Sequence, residues 1–397
     1  MLRLYEQLEL LKADRLQKVG CINSMKQIVM PKYWRIVPLF FDTYLSMKEY
    51  RNAFQLLSAY RSVIMGFAAL WIFVFHLSLR LPSTSSLFFI KFIQRIGFCG
   101  VDIFFFLSGY GCIFAIERHS LLSFYNRRVK RLLFPYLIIA ITRASFENWS
   151  IDTFLRNIFG INFYLRNIYS FLWFVPAICT LYVIFPFYFK VIHRLSRPER
   201  GIYLTIIILF FLLIFFRSSL RNDLYGFTNR IIVFLCGNCC GIINDKSTFN
   251  FDSISWIICC SCFFVGLYLS YITLYQNVYL IVPVGEAFLP TLLMSISLSF
   301  LLAGTFEILE QYRAGQLLSR LLTFYGNISF ELYTLQEWII KRILFHFGRR
   351  LAIGTTTLKC LLILVVTIAS YIESVVVQHF LTAIGKVSQL TMKISHR

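Results

Sequence analysis

From about residue 60 onward, uncharged stretches of roughly twenty residues follow one another to the C-terminus, and this pattern removes most folds from consideration. Each stretch is long enough to cross the hydrocarbon core of a bilayer. Inside that core no water satisfies backbone N–H and C=O groups, so a crossing segment must close its own hydrogen bonds as a helix. Composition agrees: 58% of residues are hydrophobic and only 15% charged, where a soluble domain carries roughly a quarter. The chain reads as an all-α, polytopic integral membrane protein with about ten transmembrane helices. They are expected near 60–79, 98–117, 129–146, 170–192, 201–217, 228–245, 253–274, 287–306, 322–345 and 357–379. Pro135 interrupts the third, and the ninth is the most polar. No internal repeat is evident, which weakens an inverted-repeat transporter.

The opening, "MLRLYEQLELLKADRLQKV", is charged throughout and reads as a polar helix rather than a cleavable signal. Residues 20–46 mix apolar and basic side chains in the manner of a surface-lying segment. Met47 opens a stretch that would itself make a natural start. Residues 1–55 are therefore expected to be a cytoplasmic or interfacial extension, 56–380 the transmembrane domain, and 381–397 a short cytoplasmic tail.

A formal charge of +20 raises the question of nucleic acid. The basic residues lie mostly in short hydrophilic stretches between spans, however, as determinants of topology do, and no nucleic-acid partner is expected. "RRVKR" and "HRLSRPER" fall on one side if the N-terminus is inside, so both termini are expected in the cytoplasm and the chain in the inner or plasma membrane of the cell, with membrane lipid as its surroundings. Arg217, Arg221, Arg349 and Arg350 oppose that vote. The eleven cysteines sit mostly inside apolar runs, and pairs such as Cys239-Cys240 lack ligand spacing with histidines. They read as reduced structural thiols, and no metal is expected.

"GFAALWIFVFHLS" places His76 near the far end of the first span, while Arg61 begins it. Fifteen residues separate them, about 22 Å along a helix, with an angular offset of about 60°. Ionisable groups inside spans are costly and mark a pathway or a reactive centre. A histidine can take a proton from a hydroxyl near neutral pH. The plain alternative is an interfacial histidine bonded to a loop carbonyl.

Six blocks in order move that balance: "MGFAALWIFVFH", "GFCGVDIFFFLSGYG", "RRVKRLLFPYL", "LWFVPAICTLYVIFP", "RIIVFLCGNCCG" and "GNISFELYTLQE". Together they resemble the membrane-bound acyltransferase type 3 family, which O-acylates cell-surface glycans, over roughly residues 60–340. The resemblance implies an integral-membrane O-acyltransferase that moves an acyl group, most simply acetyl, from acyl-coenzyme A to a hydroxyl of a cell-surface or lipid-linked glycan. Acyl-coenzyme A would be a donor substrate, and no permanently bound cofactor is implied. The competing reading is a transporter of polysaccharide or lipid-linked glycan without acyl chemistry.

The family shows an arginine, ten residues and then the histidine. Eleven positions before His76 stands Met65, and Arg61 lies one turn earlier on nearly the same face, so the arginine's role is carried to Arg61. His76 is the expected general base. Arg128 and Arg131 form an R-x-x-R pair with Arg127 beside them, suited to the donor's phosphates because guanidinium forks bind phosphate oxygens bidentately. Such a stretch is also what any positive-inside loop looks like. Asp102, near the start of the second span, is expected to orient His76 or to pair with an arginine. Trp173 serves as an aromatic platform for a sugar or as a belt residue, Arg230 contacts acceptor or donor, and Glu331 needs a partner inside the ninth span. Where relatives end the last block with histidine, this chain has Gln336.

Overall fold

The computed structural model describes residues 52–81, 87–165, 172–216, 222–245, 252–280, 287–347 and 355–395. Every regular element among them is helical. Residues 1–46 lie outside the described residues, as do the opposing arginines Arg217, Arg221, Arg349 and Arg350.

A short helix, α1 (Ala53–Ala59), precedes the first long one, α2 (Arg61–Arg80). Asn52 caps α1 by accepting from Phe54 N–H at 3.2 Å. Ala53, Phe54, Leu56 and Leu57 are buried, so the packed bundle reaches back to residue 53. An amphipathic helix α3 (Phe88–Arg95) and a single 3₁₀ turn then lead into α4 (Cys99–Arg118). Helix α5 (Leu121–Arg128) passes through a π-helical turn at Val129–Leu133 into α6 (Phe134–Glu147). Two short helices follow, α7 (Ile151–Ile158) and α8 (Ile161–Leu165), before α9 (Phe174–Ile192) and α10 (Pro198–Phe216). The remainder comprises α11 (Asn222–Asp245), α12 (Ser253–Gln276), α13 (Phe288–Leu309), α14 (Arg313–Asn327), α15 (Ser329–Phe347) and α16 (Thr355–Ser395).

Eight helices among the described residues are long and apolar enough to cross a membrane, which makes this a polytopic α-helical membrane protein. They coincide with eight of the ten expected spans. The expected third span corresponds to α6, only 14 residues long but helically continuous with α5 through the π turn. Pro135 directly follows the π turn, whose wider register takes up the missing N–H, and so does not break the helix.

The expected ninth span is corrected. Residues 322–327 belong to α14, and α15 begins at Ser329. Along α14 only Gly315, Ser319, Leu322 and Gly326 are buried, a single stripe at spacings of four, three and four. Leu322 and Gly326 pack on α2 with the two backbones touching, while Gly315 and Ser319 meet Leu309 and Glu310 at the end of α13. A Cβ on Gly66 would lie 1.9 Å from Leu322 O, and one on Gly326 1.9 Å from Ser62 O. Only glycine permits such an approach. Leu317, Leu321 and Phe324 remain exposed beside Arg313 and Arg320, the composition of a helix lying along a membrane surface rather than crossing it.

Helix α4 is the most buried of the candidate spans and α10 the least, with Leu204, Ile207, Phe211 and Phe215 turned outward as a lipid-facing surface. Beside α4 runs α11, parallel to it. Asp102 meets Arg230, Gly109 meets Phe234, and Gly237 lies against Phe106 and Tyr110. A Cβ on Gly109 or Gly237 would stand 2.0 or 2.1 Å from a carbonyl oxygen of the facing helix. Tyr110 fastens the far end of this pair: its hydroxyl donates to Phe54 O at 2.5 Å and accepts from Asn244 Nδ2 at 3.1 Å. Gly109 thus serves close helix packing.

The described cysteines are free thiols, buried or half-buried in the helices except for the exposed Cys360.

Candidate active site

Arg61 opens α2 at the end of the bundle where α4 finishes, because the two helices run antiparallel. Its guanidinium crosses α4 at Gly111, where a Cβ would come within 3.2 Å of Nη2, and Nη2 donates to Leu107 O at 3.5 Å. The α5–π–α6 run brings Arg127, Arg128 and Arg131 to the same place. All four arginines line one cavity of about 310 Å³, together with Ser108 and Ala115 of α4, Phe174 and Tyr182 of α9, and Ser329 and Tyr333 of α15.

Arg128 is held more firmly than its neighbours. Its guanidinium lies 3.4 Å from the ring centroid of Phe124 and 4.7 Å from that of Tyr182. Nη1 donates to Phe124 O at 3.1 Å and Nη2 to Cys112 Sγ at 3.2 Å. Arg127 and Arg131 are exposed at the mouth. No carboxylate lines the cavity, and none of the four arginines forms an ion pair with a described acid. Four like charges around so small a volume repel one another, and an anionic ligand relieves that repulsion.

Inward, the cavity ends on three rings: Phe104, Phe174 and Tyr333. The centroid of Phe174 is 6.1 Å from that of Phe104 and 5.2 Å from that of Tyr333. Beyond this floor stand two polar clusters. In one, Arg230 Nη2 meets Asp102 Oδ2 at 3.4 Å, and the guanidinium lies 5.1 Å from the ring centroid of Trp173. In the other, Glu337 lies 3.9 Å from Arg80 and 2.5 Å from Lys341. His76 is one helical turn before Arg80 on α2. The ring sits 5.5 Å from Phe75, and Nδ1 is buried without a hydrogen-bond partner. The charges nearest it are Glu337, Lys341 and Arg80. Tyr333 is one turn before Glu337 on α15 and lies within electrostatic range of both Glu337 and Arg230.

The family model for an acyltransferase domain, acyltransferase 3, matches residues 63–373, which carry nearly all of these groups. The chain belongs to the acyltransferase 3 family. No curated protein and no solved structure matches it. Family membership makes the chain an acyltransferase and removes the transporter reading.

Several expectations about this acyltransferase are corrected. Asp102 takes the second of its two expected roles: the parallel register of α4 and α11 pairs it with Arg230, and the carboxylate beside His76 is Glu337. Arg61, on the same helix as His76, has Arg128, Arg131 and Tyr182 as its neighbours and stands apart from the imidazole. Glu331 lies off the cavity: on α15 it points away from the Ser329–Tyr333 face, and its charged neighbours are Arg131 and Glu373 of α16. His76 does not line the cavity, which ends at the three rings. Gln336 is fully buried with no partner for its amide.

Sequence reasoning missed Tyr182, Tyr333 and Glu337. A signal for the last two exists: Ser329, Tyr333, Glu337 and Lys341 recur every four residues and so share one face of α15.

Proposed function

We propose that this acyltransferase moves an acyl group from acyl-coenzyme A to a hydroxyl of a cell-surface or lipid-linked glycan. The observation that carries the reading is the arginine-lined, carboxylate-free cavity whose floor lies one helical turn from Glu337. On this reading the arginine end faces the cytoplasm and binds the donor's phosphates. Arg127 and Arg131 meet them at the mouth, Arg128 is pre-set by its two rings, and Arg61 waits further in. The pantetheine arm fills the cavity and brings the thioester to Phe104, Phe174 and Tyr333.

The acceptor enters from the other end. Trp173, steadied by Arg230 and Asp102, offers a sugar an aromatic face with hydrogen-bonding groups around it. His76 takes the hydroxyl proton while Glu337 stabilises the resulting imidazolium. The alkoxide oxygen attacks the thioester carbonyl, the C–S bond breaks as the ester C–O bond forms, and the departing thiolate is reprotonated. Tyr333 must swing aside for the two halves to meet, a side-chain movement at one position rather than a rearrangement of helices.

The test is transfer of labelled acetyl from acetyl-coenzyme A to glycan in membranes carrying the full chain. Transfer by the parent and a loss of about 10²-fold or more in His76→Ala, the usual contribution of a general base, are expected. An unchanged rate in His76→Ala would remove the assignment of the base. Glycan left unacylated by the parent, with the thioester intact, would remove the proposed donor and acceptor.

A further inference from the structure

We infer that Phe104, Phe174 and Tyr333 form a ruler for the acyl chain, admitting a short group such as acetyl and rejecting longer ones. This rests on the acyl-coenzyme A reading and adds to it which donors are used and which side chains decide.

The argument begins with length. Helix α4 lines the cavity from Ala115 at the arginine end to Phe104 at the floor. Eleven residues separate these positions, about 16 Å along the helix. That is comparable with the reach of an extended pantetheine arm from pyrophosphate to sulfur. With phosphates on the arginines the sulfur arrives at the rings, and whatever it carries must fit among them.

The rings leave little room. Phe174 and Phe104 are inclined at 56°, and Phe174 and Tyr333 at 60°, so no parallel slot opens between them for an extended chain. Phe174 cannot retreat, because Phe105, fully buried, stands edge-on behind it at 5.2 Å. Packed interiors yield poorly to added methylenes, so each one beyond acetyl is resisted. Succinyl, two chain carbons longer than acetyl, is resisted on the same ground of length. In the step so constrained the thioester C–S bond breaks and the ester C–O bond forms. The hydroxyl proton leaves through the base and ends on the coenzyme A sulfur.

The experiment uses the full chain in liposomes with acceptor glycan, and follows free thiol release and ester formation. The donors are acetyl-, propionyl-, butyryl-, hexanoyl- and succinyl-coenzyme A. The parent is expected to favour acetyl over butyryl by tenfold or more, and to leave hexanoyl and succinyl unused. Phe174→Ala and, more conservatively, Phe104→Leu are each expected to shift the butyryl-to-acetyl ratio tenfold or more toward butyryl. Binding of free coenzyme A by each variant serves as the check on folding. A parent that transfers hexanoyl within twofold of acetyl would overturn the ruler while leaving the acyltransferase reading intact. So would variants that bind coenzyme A but lose all donors in equal proportion. If the parent consumes no thioester at all, the donor reading fails and the ruler with it.

Discussion

Replacing Arg131 by glutamine tests the donor site most cleanly, because of how little else that side chain does. Arg131 is exposed, forms no hydrogen bond or ion pair with a described residue, and lines the mouth of the cavity. Arg128 in the same cavity stacks on two rings and donates to a carbonyl and a thiol, so its removal mixes lost packing with lost charge. A charge-assisted hydrogen bond contributes about 1.5–3 kcal/mol. Solvent screening at an exposed position brings this toward 1–2 kcal/mol. At about 1.4 kcal/mol per decade, Arg131→Gln should weaken binding of coenzyme A by about 5- to 30-fold. Removing one of four like charges relieves repulsion and offsets the lost attraction to Glu331, so the empty protein should change little in stability. The assay is titration of purified protein in lipid nanodiscs with coenzyme A, at low and at physiological salt, alongside thermal unfolding of the ligand-free form. The parent should lose affinity as salt rises, and the variant should lose less. An unchanged dissociation constant at both salt concentrations would refute the placement of phosphates on this cluster. A large drop in ligand-free stability would refute the claim that the cluster is built for a ligand.

Other consequences can be measured separately. Glu337→Gln should slow transfer about tenfold near neutral pH, the worth of one pKa unit of charge interaction with an imidazolium, while coenzyme A affinity stays at the parent value; a loss of donor affinity would contradict the separation of the two clusters. Asp102→Asn leaves Arg230 without its charge partner beneath Trp173 and should destabilise the protein by up to about 3–5 kcal/mol. The double change Asp102→Leu with Arg230→Met should recover most of that stability in thermal unfolding but not transfer. Gly237→Val pushes side-chain atoms into Phe106 O and should cost at least about 1–3 kcal/mol; a parent-like melting curve would mean that α4 and α11 do not touch as described.

The membrane class, most of the spans and the arginine cluster were legible in the sequence because each depends on local order. Apolar runs report their own length, and R-x-x-R ahead of "LLFP" places its cations near one another whatever the rest of the chain does. The Asp102–Arg230 pair was not legible. Its members lie on different helices, and only the glycine-seamed parallel register of α4 and α11 brings them together. Asp102 was therefore left between His76 and an arginine, although Glu337 stood on the readable Ser329–Tyr333–Glu337–Lys341 face. The break between α14 and α15 was hidden by hydropathy, which runs through it. Gly326-Asn327, a common way to end a helix, was the available clue. Glu331 was singled out as an acid within a span, but burial says only that it needs neighbours, not that they belong to the donor cavity.

The three-ring floor also bears on how the protein coexists with an energised bilayer. In the proposed reaction donor and acceptor approach it from opposite faces, and the partition between them is then this layer of three rings. An electric field across the membrane is then concentrated over that short distance, at about 2.3 kcal/mol per elementary charge for each 100 mV. In the proposed orientation a proton leaving the acceptor outside and reaching sulfur inside travels down the potential of a cell that is negative within. Tyr333 would thereby be both the barrier that keeps ions from leaking through the bundle and the place where voltage assists turnover.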